Sequence, residues 1–135
     1  MALLRVDPTR PEPLFQQLVD SVKDAVARGA LRPGDQLPSV RELARELVIN
    51  PNTIAKAYRT LESDGVTYSR RGAGTFIAER GSSTLRPKES KRRLREGLAR
   101  LLADAHAHGL DAAAIEKLFH EALAKFDFAE EATRE

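Results

Sequence analysis

The chain contains no cysteine and no tryptophan, and aromatic residues make up only 5% of its 135 positions. Without cysteine there is no disulfide, no thiolate zinc site and no cysteine nucleophile, which fits a reducing compartment. Because aromatic side chains are scarce, the core must consist mainly of leucine, valine, isoleucine and alanine. No apolar run reaches the roughly 18 residues of a membrane span, and the first residues lack the apolar stretch of a secretory signal. We therefore expect a soluble, cytoplasmic protein.

Length and composition indicate one compact domain with a short appendage, since 41% of the residues are hydrophobic and 31% are charged. The net charge is only +2, but it is unevenly distributed. Residues 86–100 contain seven basic and two acidic side chains, whereas residues 101–135 contain three basic and eight acidic ones. The basic segment either faces a polyanion such as DNA or is ordinary solvated helix surface, and its charge alone leaves both open.

No arrangement of side chains in the sequence indicates catalysis. There is no serine, histidine and aspartate in a nucleophilic order, no nucleotide-binding loop and no pocket of paired carboxylates. His106 and His108 are two positions apart on a predicted helix, so they point in different directions. His120, with Glu116 one turn before it, is an incomplete metal pair. We expect no enzyme activity, no cofactor and no bound metal.

Three helices are predicted in the first half of the chain. The first has Pro13 in its first turn and ends at Gly29. Ser39 and Glu42 have the spacing of a capping box and mark the start of a short second helix. The third helix begins with Asn50 as its N-cap and Pro51 at its first position, and it ends at residues 64–65. It carries a stripe of apolar residues at helical spacing: Ile54, Ala57, Tyr58 and Leu61.

After the third helix the pattern changes to short β-prone runs. Residues 66–69 and 75–78 flank the segment 70–74, which contains two arginines and two glycines. This predicts a β-hairpin with a basic tip. The expected fold class is therefore mostly α with a small β-hairpin. A winged helix-turn-helix domain would occupy residues 1–80, and residues 81–135 would form a linker and a helical dimerisation region.

The third helix presents a polar face opposite its apolar stripe, and the N-terminal turn of such a helix enters the major groove first. Arg41 alone would be interpreted as an ion-pair partner of Glu42 or Glu46, and an Arg-Arg-Gly hairpin alone as a soluble turn. The combination of these features in this order predicts double-stranded DNA as the partner. The candidate DNA-contacting residues from this pattern are Arg41, Asn52, Thr53, Lys56, Arg59, Arg70, Arg71 and Gly72.

Residues 13–78 closely resemble the DNA-binding domain of the GntR family of bacterial regulators. The markers are Pro33-Gly34-Asp35, Leu37-Pro38-Ser39, Arg41-Glu42-Leu43-Ala44, Asn52-Thr53, Ala57-Tyr58, Leu61-Glu62, Gly65 and residues 71–76. The resemblance implies that a dimer binds operator DNA, with contacts that fall here on Arg41, Asn50, Asn52, Thr53, Arg71 and Gly72. Some family members have arginine where this chain has Pro51 and Ala55, so its operator specificity should differ from theirs.

The C-terminal part predicts two amphipathic helices, one over residues 88–108 and one that begins at Asp111. A tail of about fifty residues is too short for the large effector domains of other GntR proteins. It resembles the YtrA subfamily, whose members often regulate transporter operons and dimerise through such a tail. The residues expected at the dimer interface are Leu94, Leu98, Leu101, Leu102, Ile115, Leu118, Phe119, Ala122 and Phe126.

Other interpretations of the same pattern remain open. The tail helices could pack on the winged domain instead of on a second copy. The winged helix could dock a protein rather than DNA, or a small effector could bind among residues 98–126. Repression of transcription is implied only by the family resemblance, and the sequence identifies neither the operator, nor the regulated genes, nor any effector.

Overall fold

Residues 4–82 and 87–126 are described by the computed structural model, and they contain five helices and one two-stranded sheet. Outside the described part lie residues 1–3, residues 83–86 with part of the linker and Arg86 of the basic segment, and residues 127–135 with four of the eight acidic residues of the tail. The chain divides into two compact units, Met1–Thr84 and Leu85–Glu135. The elements in order are α1 (Leu14–Ala27), α2 (Val40–Leu47), α3 (Pro51–Ser63), β1 (Thr67–Arg70), β2 (Gly74–Ile77), α4 (Pro87–Ala107) and α5 (Ala112–Leu123). The predicted fold class, mostly helical with one hairpin, is confirmed. No helix in the described part is long and apolar enough to cross a membrane.

Local hydrogen bonds start the helices where the sequence predicts them. The Ser39 hydroxyl accepts the Glu42 N–H at 3.1 Å, and the Glu42 carboxylate accepts the Ser39 N–H at 3.2 Å, which completes the capping box. The Asn50 side chain accepts the N–H of Asn52 at 2.8 Å, directly before α3. Pro13 lies one position earlier than predicted, as the N-cap of α1 rather than inside its first turn.

One apolar core joins α1, α2, α3, the hairpin and the N-terminal segment. Burial of leucine-sized side chains such as these stabilises a fold by roughly 1.5–3 kcal/mol each. The buried side chain of Gln17 ties the N-terminal segment to α1, because it accepts the Asp7 N–H at 2.7 Å and donates to the carbonyls of Asp7 and Glu12. The buried apolar residues are Leu4, Leu18, Val19, Val22, Ala25, Leu31, Leu37, Leu43, Ala44, Ile54, Ala57, Tyr58, Leu61 and Ile77.

The hairpin after α3 is antiparallel, with Thr67 paired to Ile77 and Arg70 paired to Gly74. Both strands are shifted by one residue from the prediction, so the tip consists of residues 71–73 alone. At the start of β1 the reason is that the Val66 N–H bonds to the Leu61 carbonyl at 2.9 Å and closes the end of α3 instead of starting the strand. Gln36, in the loop before α2, forms an isolated antiparallel bridge with Phe76 of β2. One residue of that loop thus pairs with the hairpin.

The turn between α2 and α3 contains a strained residue. Val48 has φ of 56° and is the one non-glycine residue in the described part with positive φ. A β-branched side chain in the left-handed region crowds its own backbone, at a cost of about 1–2 kcal/mol. The Val48 side chain is 89% exposed, so it gains little from burial in return. Val48 is the C-cap of α2, and Asn50, the N-cap of α3, follows only two residues later. The chain must therefore change direction at Val48.

Replacing Val48 by glycine should therefore stabilise the winged domain. Glycine removes the strain but adds freedom to the unfolded chain, so the expected net gain is about 0.5–1 kcal/mol in the free energy of unfolding. Chemical denaturation of Val48→Gly measures it, and Val48→Ala is the matched control because it keeps the Cβ atom. A Val48→Gly variant no more stable than Val48→Ala would contradict the assignment of strain.

Candidate nucleic-acid interface

The polar face of α3 is built by the packing of its apolar face. Ile54, Ala57 and Leu61 are fully buried, and this directs the opposite side of the helix to solvent. Asn52 and Arg59 are exposed there, and Thr53 is half-buried at the start of the helix. The helix thus presents an amide, a hydroxyl and a guanidinium along one open side. These are donor and acceptor types that suit base edges and phosphates.

Asn50 precedes this face and already has a structural role. Its side-chain oxygen accepts the Asn52 N–H, so the amide NH2 group is what remains for another partner. Pro51 follows at the first helical position, where its missing N–H costs no hydrogen bond. Asn50, which the family resemblance implies as a DNA contact, therefore also fixes where α3 begins.

Lys56 makes a contact that the sequence did not predict. Its Nζ lies 3.9 Å from the centre of the Phe15 ring, which belongs to α1. This is cation–π geometry, worth about 0.5–1 kcal/mol at an exposed site. Lys56 shares the open side of α3 with Asn52 and Arg59, four and three residues away, and its charge is held there beside the start of α1.

Arg41 is exposed in the first turn of α2. Within the described part of the chain it forms no ion pair with Glu42 or Glu46. Glu42 is engaged instead by the capping box, where hydrogen bonds from the Ser39 side chain and backbone hold the pKa of Glu42 below its usual value. Because its nearest carboxylate neighbour is occupied, the guanidinium of Arg41 is available to an external anion.

Two arginines lie at or beside the wing tip, Arg70 at the end of β1 and Arg71 in the turn, and their surroundings differ. The guanidinium carbon of Arg70 lies 6.0 Å from the Phe76 ring centre, and that ring stacks on Tyr68 at 5.6 Å. Arg71 is exposed in the turn itself. Gly72 follows it with φ of 78°, a conformation that glycine adopts without strain.

Gln36 supports the wing, although nothing in the sequence pattern marks it. Its side-chain amide donates to the Ala73 carbonyl at 2.9 Å. Gly74 has φ of 123°, which other residues adopt only with strain, and a Cβ atom there would lie 2.6 Å from the same Gln36 nitrogen and displace that side chain. The local spacing of the wing residues could not reveal this, since Gln36 is distant in sequence.

The start of α2 and the wing lie on the same side of the domain, since residues of both line one open cleft: Gln36, Ser39, Val40, Glu42, Arg70 and Gly72. Tyr58 reaches this region from α3 and donates its hydroxyl to the Pro38 carbonyl at 2.6 Å. The cleft and this bond bring together the elements that carry Arg41, the α3 face and the wing tip. The assignment of individual DNA-contacting residues on these elements stays a prediction.

The two tail helices present a second surface. Leu94 is 67% exposed, Leu101 56% and Leu118 54%, and no residue of α4 or α5 is buried. Leu98, Leu102, Phe119 and Ala122 are exposed as well, and Ile115 and Phe126 are half-buried. Asp111 caps α5 as predicted, accepting the Ala114 N–H at 2.9 Å. All the residues expected at a dimer interface are thus accessible in the single chain.

Three helices with a tight turn before α3, followed at once by a β-hairpin, define a winged helix-turn-helix DNA-binding protein. Among the described residues no three potential metal ligands cluster.

The pattern of the family described as bacterial regulatory proteins, gntR family, matches residues 14–77. The HTH-type transcriptional repressor YtrA of Bacillus subtilis is 40% identical over 119 residues, which cover 88% of each chain. The chain belongs to the GntR family of bacterial transcription regulators.

Further relatives agree with this assignment. The HTH-type transcriptional regulator Rv1152 of Mycobacterium tuberculosis is 51% identical over 75 residues, covering 56% of this chain and 62% of the relative. A solved transcriptional antiterminator from Listeria monocytogenes EGD-e superposes with a TM-score of 0.78 at 32% identity, covering 88% of both chains. YtrA from Sulfolobus acidocaldarius, a GntR-family transcription factor, has a TM-score of 0.61 at 30% identity, covering 75% of this chain and 98% of that one. The expected family, the likeness to YtrA and the expectation of a regulator rather than an enzyme are confirmed.

The bond from Tyr58 to Pro38 generates a prediction about pH. Burial, and secondarily the charge of Glu42, raise the pKa of Tyr58 well above its usual value of 10.0. A raised pKa in the folded state means that the neutral phenol stabilises the fold below pH 10 and that this contribution is lost as pH rises further. Tyr58→Phe should cost about 1 kcal/mol of unfolding free energy near neutral pH.

The difference between wild type and Tyr58→Phe should then shrink above pH 10, because the variant has no phenol to deprotonate. Urea denaturation at neutral pH and at several alkaline values measures the difference. Tyr68→Phe, which removes a hydroxyl from the exposed wing strand, is the matched control. A difference between wild type and Tyr58→Phe that stays constant across this range would contradict the buried-phenol explanation.

Proposed function

We propose that this protein is a cytoplasmic repressor that binds a palindromic operator as a homodimer, with residues 1–80 contacting DNA and residues 81–135 joining the two copies. The observation that carries the proposal is the open side of α3, where Asn52 and Arg59 are exposed opposite the buried stripe, together with the exposed Arg41 of α2 and Arg71 of the hairpin turn. Repression is supported by the likeness to the transcriptional repressor YtrA of Bacillus subtilis. A transporter operon as the target follows from the resemblance to the YtrA subfamily.

Each part of the surface has its own task in this proposal. Asn52 and Thr53 contact base edges, because the first turn of α3 enters the major groove. Arg41 binds a phosphate or a guanine edge from the start of α2, and Arg71 reaches into the minor groove from the wing tip, where Gly72 permits close approach of the backbone. Contacts to phosphates complete the surface, from Asn50, Lys56, Arg59 and Arg70.

The dimer is supported by the exposed apolar faces of the tail. Leu94, Leu98 and Leu101 follow one another at helical spacing on α4, and Leu118 and Phe119 are exposed on α5. Exposed apolar side chains in such number mark a surface that associates. A second copy with two-fold symmetry would cover the same face on both chains and place two reading surfaces about one or more DNA turns apart, as a palindromic operator requires.

The defining experiment is a fluorescence-anisotropy titration against the DNA upstream of the gene's own operon, repeated at several salt concentrations with a scrambled duplex for comparison. We expect tighter binding to the operon DNA and an affinity that falls steeply with salt, because phosphate contacts release counterions. Equal affinity for both duplexes would contradict the proposal and favour a winged helix that docks a protein.

Arg41→Ala and Arg71→Ala should each weaken operator binding by about tenfold, since each removes one charged contact while the fold stays intact. Arg45→Ala is the matched control, because Arg45 is also an exposed arginine of α2 but lies in its last turn. Titration gives the three affinities, and thermal melting checks that all variants are folded. Unchanged affinity in the Arg41 and Arg71 variants would show that these contacts are wrongly assigned.

Leu98→Asp should convert the dimer into a monomer, because it places a charge in the centre of the apolar face of α4. Ala103→Asp adds the same charge at an exposed position on another face of that helix and should leave the dimer intact. Sedimentation velocity measures the mass of each. A monomeric wild type at micromolar concentration, or a dimeric Leu98→Asp variant, would contradict this interface.

A further inference from the structure

A stripe of positive charge runs along the first half of α4, apart from the apolar face. Lys88, Arg92 and Arg95 follow at spacings of four and three residues, so they lie on one side of the helix. All three are exposed, and within the described part of the chain none of them forms an ion pair. We call these three residues the basic stripe.

The basic stripe is unfavourable for the helix that carries it. The amino end of a helix has the positive end of the helix dipole, and an exposed cation there costs about 0.3–1 kcal/mol at low ionic strength, of which Glu89 in the same turn offsets a part. Lys88 lies in the first turn, and Arg92 follows at the i+4 position, where like charges repel each other. A bound polyanion would relieve both costs at once.

The basic stripe and the proposed dimer face can be occupied at the same time. Adjacent residues on a helix differ in direction by about 100°, so Arg95 is turned away from Leu94. Leu98 and Leu101 share the side of Leu94 rather than that of the stripe. A second copy that covers Leu94, Leu98 and Leu101 would therefore leave Lys88 and Arg92 exposed, while Leu102, seven positions after Arg95, lies at the border between the two faces.

The chain itself keeps the basic stripe close to the DNA-binding domain. Lys88 follows Ser82, the last described residue of the first unit, by six positions. A fully extended chain of that length spans at most about 22 Å, equivalent to six or seven base pairs of duplex. Once the winged domain is bound, phosphates beyond its half-site are thus present at high effective concentration for these side chains.

We propose that the basic stripe of Lys88, Arg92 and Arg95 binds backbone phosphates of the duplex that flanks each operator half-site. The contact is electrostatic and independent of base sequence, so it adds affinity without adding specificity. This inference rests on the proposed function, since it requires a winged domain that is already bound to its operator.

The test compares two triple variants of the full chain that change net charge equally. Lys88→Gln, Arg92→Gln and Arg95→Gln together remove the basic stripe, whereas Arg100→Gln, Lys117→Gln and Lys125→Gln together remove three exposed cations elsewhere in the tail. Anisotropy titrations on an operator duplex with long flanks, at about 50 to 200 mM salt, yield the slope of log affinity against log salt.

Loss of three phosphate contacts should reduce the slope by about 2.7 and raise the Kd at ~0.1 M salt by at least tenfold, while the control variant keeps the wild-type values. Trimming the flanks of the duplex should reduce wild-type affinity and leave the stripe variant unchanged. Circular dichroism and sedimentation confirm that both variants keep helix content and mass.

Three results would overturn the inference, and they can be distinguished. The first is a stripe variant with the wild-type slope, and the second is an equal loss of affinity in the two triple variants. Either would exclude a specific role for the stripe, but operator preference and the proposed function would still hold. A wild type that shows no operator preference would instead remove the proposed function and this inference together.

Discussion

The burial of the apolar stripe of α3 is the constraint on which the winged domain depends. Ile54, Ala57 and Leu61 are fully buried in the core shared with α1 and α2. When one side of a helix is buried, the opposite side faces solvent. The packing that stabilises the domain therefore also exposes Asn52 and Arg59. The stability of the domain and the exposure of this polar face are therefore two consequences of one helix orientation, and a change that rotates α3 would damage both.

Hydrogen bonds between distant residues then bring the remaining parts to the same side. Tyr58 holds the segment before α2 through the Pro38 carbonyl, and Gln36 holds the wing turn through the carbonyl of Ala73. These bonds set the positions of Arg41 and of the wing tip relative to α3. The buried Tyr58 and the exposed Gln36 thus tie the loop before α2 to α3 and to the hairpin turn.

The two tail helices differ from the winged domain in how they are stabilised. The winged domain completes its own core, whereas α4 and α5 bury no side chain by themselves. Helices of this kind need a partner surface to be stable in water, because isolated helices gain too little from their backbone bonds alone. The first turn of α4 carries Lys88 as well as the acidic Glu89, so only part of its charge opposes the helix dipole.

The sequence by itself determined the start of each capped helix, the existence of the wing, the fold class and the family. Ser39, Asn50 and Asp111 could be identified because a cap is a bond between residues two or three positions apart, which spacing alone reveals. Only the tertiary structure decided that Lys56 lies over Phe15, that Gln36 supports the wing and that Val48 is strained. It also moved both strands by one residue. These features depend on residues far apart in the chain, or on the path between two packed helices, and a one-dimensional pattern has no information about such distances.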